Sequence, residues 1–181
     1  MVGASLFRRL LGDGIDTLPQ AVRQVHDASD DIIMVGSADV WVNPNPLAGL
    51  LCRMMRLPAA GHGVSVRIAF LKREEGECWQ RTFGSRSYAS RLDAEAGVLV
   101  EHMGPAVSRF QLSTSQGSLH LDLIGFRLLG LRLPRALRPT CHAVEGEQDG
   151  AFTFDIPVSL PWLGPVIRYA GRLAPLRKAS S

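Results

Sequence analysis

Lysine is almost missing from this chain of 181 residues. Of its 20 basic residues, Lys72 and Lys178 are the two lysines and the other 18 are arginines; set against 17 acidic residues they leave a net charge of +3. So small an excess does not by itself advertise a polyanion partner. With aromatics at 7% and no helix-turn-helix, RNP-like or OB-type signature, nucleic acid is not an expected ligand. Cysteine is scarce too. Cys52, Cys78 and Cys141 are odd in number, widely spaced and without a CxxC pair, which argues against a disulfide framework or a cysteine zinc site and suits reduced thiols in a cytoplasmic protein. Long apolar runs are absent: stretches such as 32–35 fall far short of the roughly 20 residues a spanning helix needs. Residues 1–11 place Arg8 and Arg9 after too short an apolar run for a signal peptide. Catalytic signatures are lacking as well. His26, His62, His102, His120 and His142 show neither HxH nor HExxH spacing, Gly61-His62-Gly63 is too short for a dinucleotide loop, and no serine sits in a nucleophile elbow. Neither a metal nor a cofactor is expected.

What is present is a foldable chain. Hydrophobic residues make up 46% and charged residues 20%, which suits one domain over 1–175 followed by a basic, disordered tail over 176–181. Leu18, Ala21, Val22 and Val25 recur at helical spacing behind Pro19 and predict a helix over 17–27. Leu47, Leu50, Leu51 and Met54 do the same, with Asn45 as cap and Pro46 in the first turn, and predict a second over 46–56. Between them, residues 32–42 are β-branched and end at Asn43-Pro44, which predicts a strand.

From Val64 onward the apolar period is two. Val64, Val66, Ile68 and Phe70 alternate with polar or small residues, as do Trp79, Arg81 and Phe83, then Leu119, Leu121 and Leu123, then Phe152, Phe154 and Ile156. Further strands are predicted at 87–92, 97–103, 106–113, 139–146 and 165–173, with turns at Glu75-Gly76, Gln116-Gly117 and Asp149-Gly150. Closely spaced strands joined by short turns favour an antiparallel meander. The expected fold is therefore α+β: a strongly curved antiparallel sheet, barrel or half-barrel, of about eight or nine strands with two N-terminal helices.

The order of several short motifs resembles a family. Phe7-Arg8-Arg9-Leu10-Leu11-Gly12 and Leu18-Pro19-Gln20-Ala21-Val22 open it, and Trp79-x-Arg81-x-Phe83, Glu101 with Gly104, Gly125-x-x-Leu128-x-Gly130-x-x-Leu133-Pro134 and Leu137-x-Pro139 follow. Glu145, Phe152-x-Phe154, Pro161 with Gly164 and Tyr169-x-Gly171-x-Leu173 complete it. As a set they are similar to a bacterial domain of unknown function found alone or appended to saccharopine-dehydrogenase-like reductases. The resemblance implies a reductase as a partner in trans and assigns no activity.

Arg81 is the residue to explain. It alternates with Trp79 and Phe83, so if those aromatics face inward it does too, and a buried guanidinium needs an acid or a ligand anion. Glu101 and Glu145 are the candidate acids, and each shares a strand face with apolar neighbours. Trp79, Arg81, Phe83, Phe152, Phe154 and Tyr169 are the expected ligand-binding set for a small, largely apolar molecule, lipid-like or polycyclic, carrying an acidic head that Arg81 meets. A second reading is a cofactor-independent isomerase, cyclase or hydrolase with Glu101, Glu145 and Tyr169 as candidate catalytic groups. A third is an accessory module docking the reductase. The Arg/Leu-interleaved stretch 125–139 is expected to cover a cavity mouth or to rest on an anionic surface such as a membrane, or else to be an irregular connection docked by its leucines with solvated arginines.

Overall fold

The computed structural model describes residues 4–176, so the expected tail at 176–181 lies outside the described residues except for Leu176, whose N–H donates to the Ile33 carbonyl at 2.8 Å. The strands are β1 (Ile32–Val42), β2 (Gly61–Lys72), β3 (Gly76–Phe83), β4 (Arg86–Glu95), β5 (Val98–Met103), β6 (Ala106–Ser115), β7 (Ser118–Leu128), the two-residue β8 (Leu131–Arg132), β9 (Thr140–Gln148), β10 (Ala151–Leu160) and β11 (Gly164–Pro175). All but β8 close into one antiparallel barrel, because β6 pairs with β7, β7 with β9, and β11 returns to β1. The count of eight or nine strands was thus too low: ten form the barrel, and β8 hangs on β7 alone. Closure leaves no exposed edge on β1, which a curved open sheet of this length would have had.

Alternation places the inward side chains as expected. Phe70 faces Trp79, Ile68 faces Arg81 and Leu92 faces Glu101 across neighbouring strands, so one continuous inner face runs around the barrel. The hairpins at Gln116-Gly117 and Asp149-Gly150 have positive φ at both central residues (50° and 73°, 49° and 75°), the geometry whose twist matches that of paired strands. The turn assigned to Glu75-Gly76 lies slightly earlier: Gly76 already belongs to β3, and its carbonyl accepts from Arg73 N at 3.0 Å.

Helices number three rather than two. α1 (Leu6–Leu11), a 3-10 turn (Gly12–Thr17) and α2 (Gln20–His26) precede the barrel, and α3 (Pro46–Met54) links β1 to β2. The expected N-cap of α3 is in place, with Asn45 Oδ1 accepting from Leu47 N at 2.9 Å. α1 and α2 plug one end of the barrel. Phe7, Val22, Val25 and His26 are fully buried against Phe70, Trp79 and Phe152, and burying each large apolar side chain contributes about 1.5–3 kcal/mol. Capping locks the plug: Ser5 Oγ accepts from Arg8 N (3.1 Å), and Glu147 Oε2 accepts from Ala21 N (2.7 Å). Arg8 bridges Asp16 and Asp27, and its hydrogen bonds hold the Asp27 carboxyl below its ordinary value.

We call the plugged end the base and the opposite end the mouth. At the mouth lie α3 with its flanking loops, the hairpin tips at 84–85, 104–105 and 161–163, and the connection 129–139. Among the described residues no helix is long and apolar enough to cross a membrane.

Candidate ligand-binding site

The inner wall carries two polar layers among its apolar side chains. The lower one belongs to the plug. His26 Nε2 lies 2.5 Å from Glu145 Oε2, and Lys72 Nζ donates to Glu77 Oε1 (2.7 Å) and to the Val25 carbonyl (3.0 Å). The indole N–H of Trp79 completes the Glu77 carboxylate at 2.7 Å. These groups are spent on holding α2 to the barrel floor. Glu145, a candidate base, is therefore tied to His26 here.

The upper polar layer sits at mid-barrel. Arg81 Nη1 donates to Ser90 Oγ (2.7 Å) and to Glu101 Oε1 (3.0 Å), and the guanidinium carbon lies 4.7 Å from the Trp79 ring centroid and 5.5 Å from that of Tyr88. Both hydrogen bonds use the same nitrogen, so Nε and Nη2 make none to protein among the described residues. Burial works most strongly against the Arg81 charge, yet its neighbours together raise its pKa above the ordinary value, Glu101 first among them. The Tyr88 hydroxyl is buried and makes no well-aligned hydrogen bond among the described residues; the Tyr169 phenol is its nearest hydrogen-bonding neighbour and acts on it weakly. Burial raises both phenols, Tyr169 well above its ordinary value, so each stands as a neutral O–H donor. A free guanidinium edge beside a buried hydroxyl without a well-aligned partner is a donor set lacking its acceptor.

The aromatic residues divide between the two layers. Trp79 and Phe152 lie deep, with Trp79 stacked 6.0 Å from Phe7 and Phe152 6.1 Å from His26. Phe83, Phe154 and Tyr169 form one wall cluster, Phe83 lying 5.6 Å from Tyr169 and 6.4 Å from Phe154. All six expected binding residues face inward, Trp79 as the floor beneath the guanidinium.

The wall is incomplete on one side. β7 and β9 pair only from Leu119–Asp122 to His142–Glu145; above that, β7 leaves to pair with β8, and the β9–β10 ladder skips Ile156 and Pro157. Pro157 has no N–H to give that ladder. A cleft of about 380 Å³ opens there, lined by Asp122, Leu123, Cys141, His142, Pro157 and Ser159. Leu123 and Cys141 of the inner face keep partial exposure and share this cleft with Asp122 and His142 of the outer face. Cys141 reports the same position. Its thiol is pushed up to about 12, chiefly by burial, then by Glu101 inside and Asp122 outside.

Two histidines that the sequence left scattered meet on the outer wall. His142 Nδ1 contacts Asp122 Oδ1, His120 Nδ1 lies 3.3 Å from His142 Nε2, and Ser115 Oγ lies 2.9 Å from His120 Nε2. The chain of contacts imitates a relay, but it lies on an exposed sheet face open to water. His102 stays apart, 3.8 Å from Asp93. Among the described residues no group of three or more His, Cys, Asp or Glu could hold a metal.

Tyr88 and the β7–β9 opening are what the sequence did not give away. Tyr88 alternates with Leu92 on one face of β4, a signal that was available; the opening depends on where two distant strands stop pairing.

Comparison with curated proteins finds no match. The family model described as domain of unknown function DUF4166 matches residues 18–173, from the start of the plug's second helix region to the end of β11, and the chain belongs to that family.

Proposed function

We propose that the barrel binds a small, largely apolar molecule with an oxygen-bearing head. The head accepts hydrogen bonds from the free edge of Arg81 and from the Tyr88 hydroxyl. The apolar part lies against the half-buried inner residues Met103, Phe110, Leu123, Ile156 and Val158, and the β7–β9 cleft is its way in. The observation that carries this reading is the Arg81 guanidinium, two of its nitrogens unengaged, lying over the ring of Tyr88, whose buried hydroxyl makes no well-aligned hydrogen bond among the described residues. A buried donor left unsatisfied costs about 1–3 kcal/mol, a cost that a ligand acceptor would relieve. Because Glu101 already neutralises Arg81, the head need not be anionic: a carbonyl serves as well as a carboxylate. The same arithmetic weighs against turnover. Glu101 is held by a cation, and both phenols are neutral donors, so the cluster is built to donate hydrogen bonds rather than to abstract a proton.

The test pairs native mass spectrometry of freshly purified protein with titration of anilinonaphthalene sulfonate, an apolar probe with an anionic head. Saturable one-to-one binding is expected, weakened about fivefold to tenfold in Tyr88→Phe. Because Tyr88→Phe deletes an unsatisfied hydroxyl, its melting temperature should equal or exceed that of the parent. Equal affinity of both proteins for the probe, with no molecule co-purifying, would refute the site.

A further inference from the structure

The net charge of +3 conceals a strong asymmetry along the barrel axis. Asp13, Asp16, Asp30, Asp31, Glu74 and Glu75 gather at the base, whereas no Asp or Glu occurs anywhere in 40–73, 123–144 or 156–176, the stretches that build most of the mouth. What the mouth does carry is arginine: Arg53 and Arg56 in and after α3, and Arg127, Arg132, Arg135 and Arg138 in and beside the connection 129–139. Arg127, Arg132 and Arg138 also line an outer groove of about 340 Å³ beside the β7 end.

The exposed large apolar side chains concentrate at that same end. Leu129 is 77% exposed, Leu131 72%, Met54 71%, Leu50 53% and Trp162 50%. They project from three separate elements, the β7–β8 hairpin, α3 and the β10–β11 tip, around one rim. Leu129 stands out because its backbone has φ +52°. That left-handed conformation suits Gly, Asn or Asp, and the equivalent base-end turns use Ala96, Gln116 and Asp149 at φ 49–50°, each smaller or more polar than leucine. Leucine there costs strain and exposes its whole side chain to water. Neither folding nor solubility favours that choice, whereas insertion into an apolar medium does.

We propose that the mouth docks on an anionic lipid bilayer, with Leu129, Leu131 and Trp162 entering the interface and the surrounding arginines meeting lipid phosphates. Apolar tips among arginines that outnumber the nearby carboxylate of Asp39, itself engaged with Gly63 N and beside His62, are the charge and hydropathy pattern of a bilayer surface read in reverse, since each nearby cation contributes about 1 kcal/mol at an anionic leaflet. The connection 129–139, which contains β8, runs from the end of β7 to the start of β9, the two sides of the wall opening, so docking sets that opening against the bilayer.

Sedimentation with phosphatidylcholine vesicles, with and without about 30% phosphatidylglycerol, tests this. The full chain should bind the anionic vesicles at least about tenfold more tightly, and rising salt should weaken the binding. Leu129→Asn should bind several-fold more weakly while melting at the same or a higher temperature, since asparagine tolerates the left-handed backbone. Glu74→Gln at the base should bind like the parent. Equal binding to the two vesicle types, or unchanged binding of Leu129→Asn, overturns the proposal. Failure to bind either type overturns it too, and turns the apolar rim over to a protein partner. The readout needs no occupant inside the barrel, so it fails or succeeds separately from probe binding by Tyr88.

Discussion

Removing the positive charge of Arg81 tests the mid-barrel layer most directly. In Arg81→Met the Glu101 carboxylate, whose side chain is 17% exposed, loses its counter-ion and its hydrogen-bond donor. Breaking a buried pair from one side costs about 3–5 kcal/mol, because a charge is left without compensation. The stacked contacts to Trp79 and Tyr88 are lost with it. For a chain of this size each kcal/mol moves the midpoint by about 2–4 °C, so a fall of about 10 °C is expected. Glu101→Gln leaves the guanidinium uncompensated in turn but keeps an amide oxygen that can accept from Nη1, and with Ser90 Oγ at 2.7 Å and both rings retained it should cost less, about 1.5–3 kcal/mol. The double variant Arg81→Met/Glu101→Gln buries no charge and should be more stable than Arg81→Met alone, giving a coupling energy of about 2 kcal/mol in urea unfolding. Single effects that add to within about 0.5 kcal/mol would refute the reasoning, because they would mean that the two side chains do not depend on each other.

Three further outcomes follow from features of the wall and plug. Cys141 should alkylate very slowly with iodoacetamide at pH 8 despite the cleft beside it, since a thiol pushed to about 12 is overwhelmingly protonated, and the rate should climb with pH; fast labelling at pH 8 would contradict its placement in the wall. Asp27 is held below its ordinary value by Arg8, so its contribution is complete above the unfolded-state value of about 3.9 and is lost as pH falls through the lower folded value. Midpoints measured from pH 7 to pH 3 should therefore fall less steeply for Asp27→Asn at the acid end, from a lower start. Gly171→Ala should abolish or severely weaken folding, because a Cβ there would lie 2.4 Å from the Ser37 carbonyl oxygen across the β1–β11 seam and 2.8 Å from Phe154 Cζ; near-parental circular dichroism and midpoint would contradict that closeness.

Much of the architecture was legible because a barrel wall is half buried. Period-two alternation recorded which residues of β2, β3, β7 and β10 face inward, and Asn45-Pro46 marked α3 through capping alone. It put Arg81 inside and named Glu101 as an acid for it. The same alternation extends one step back from Trp79 to Glu77, yet a charged residue beside a glycine reads as a turn, so the floor network with Lys72 was invisible. α1 escaped notice because six residues are too short to establish a helical period. The pairing of His26 with Glu145 joins residues 119 apart, and local pattern carries no information at that range. The wall opening has the same origin, being a property of where β7 and β9 part company.

The plug that seals the base also sets a timetable for folding. α1 and α2 are made first, yet the surfaces that bury them come from β4 and β6 for α1 and from β9 and β10 for α2, and β1 waits for β11 to cover one of its edges. A ribosome releasing this chain from its N-terminus therefore leaves α2 without its β9 and β10 partners, and the edge of β1 bare, until nearly the whole sequence has emerged. With so many contacts between distant residues the chain should fold slowly by the standard of domains its size, and the interval before β11 arrives is when it is most exposed to aggregation. Expression at lower temperature, or with chaperones that shield apolar N-terminal segments, should raise the soluble fraction for that reason.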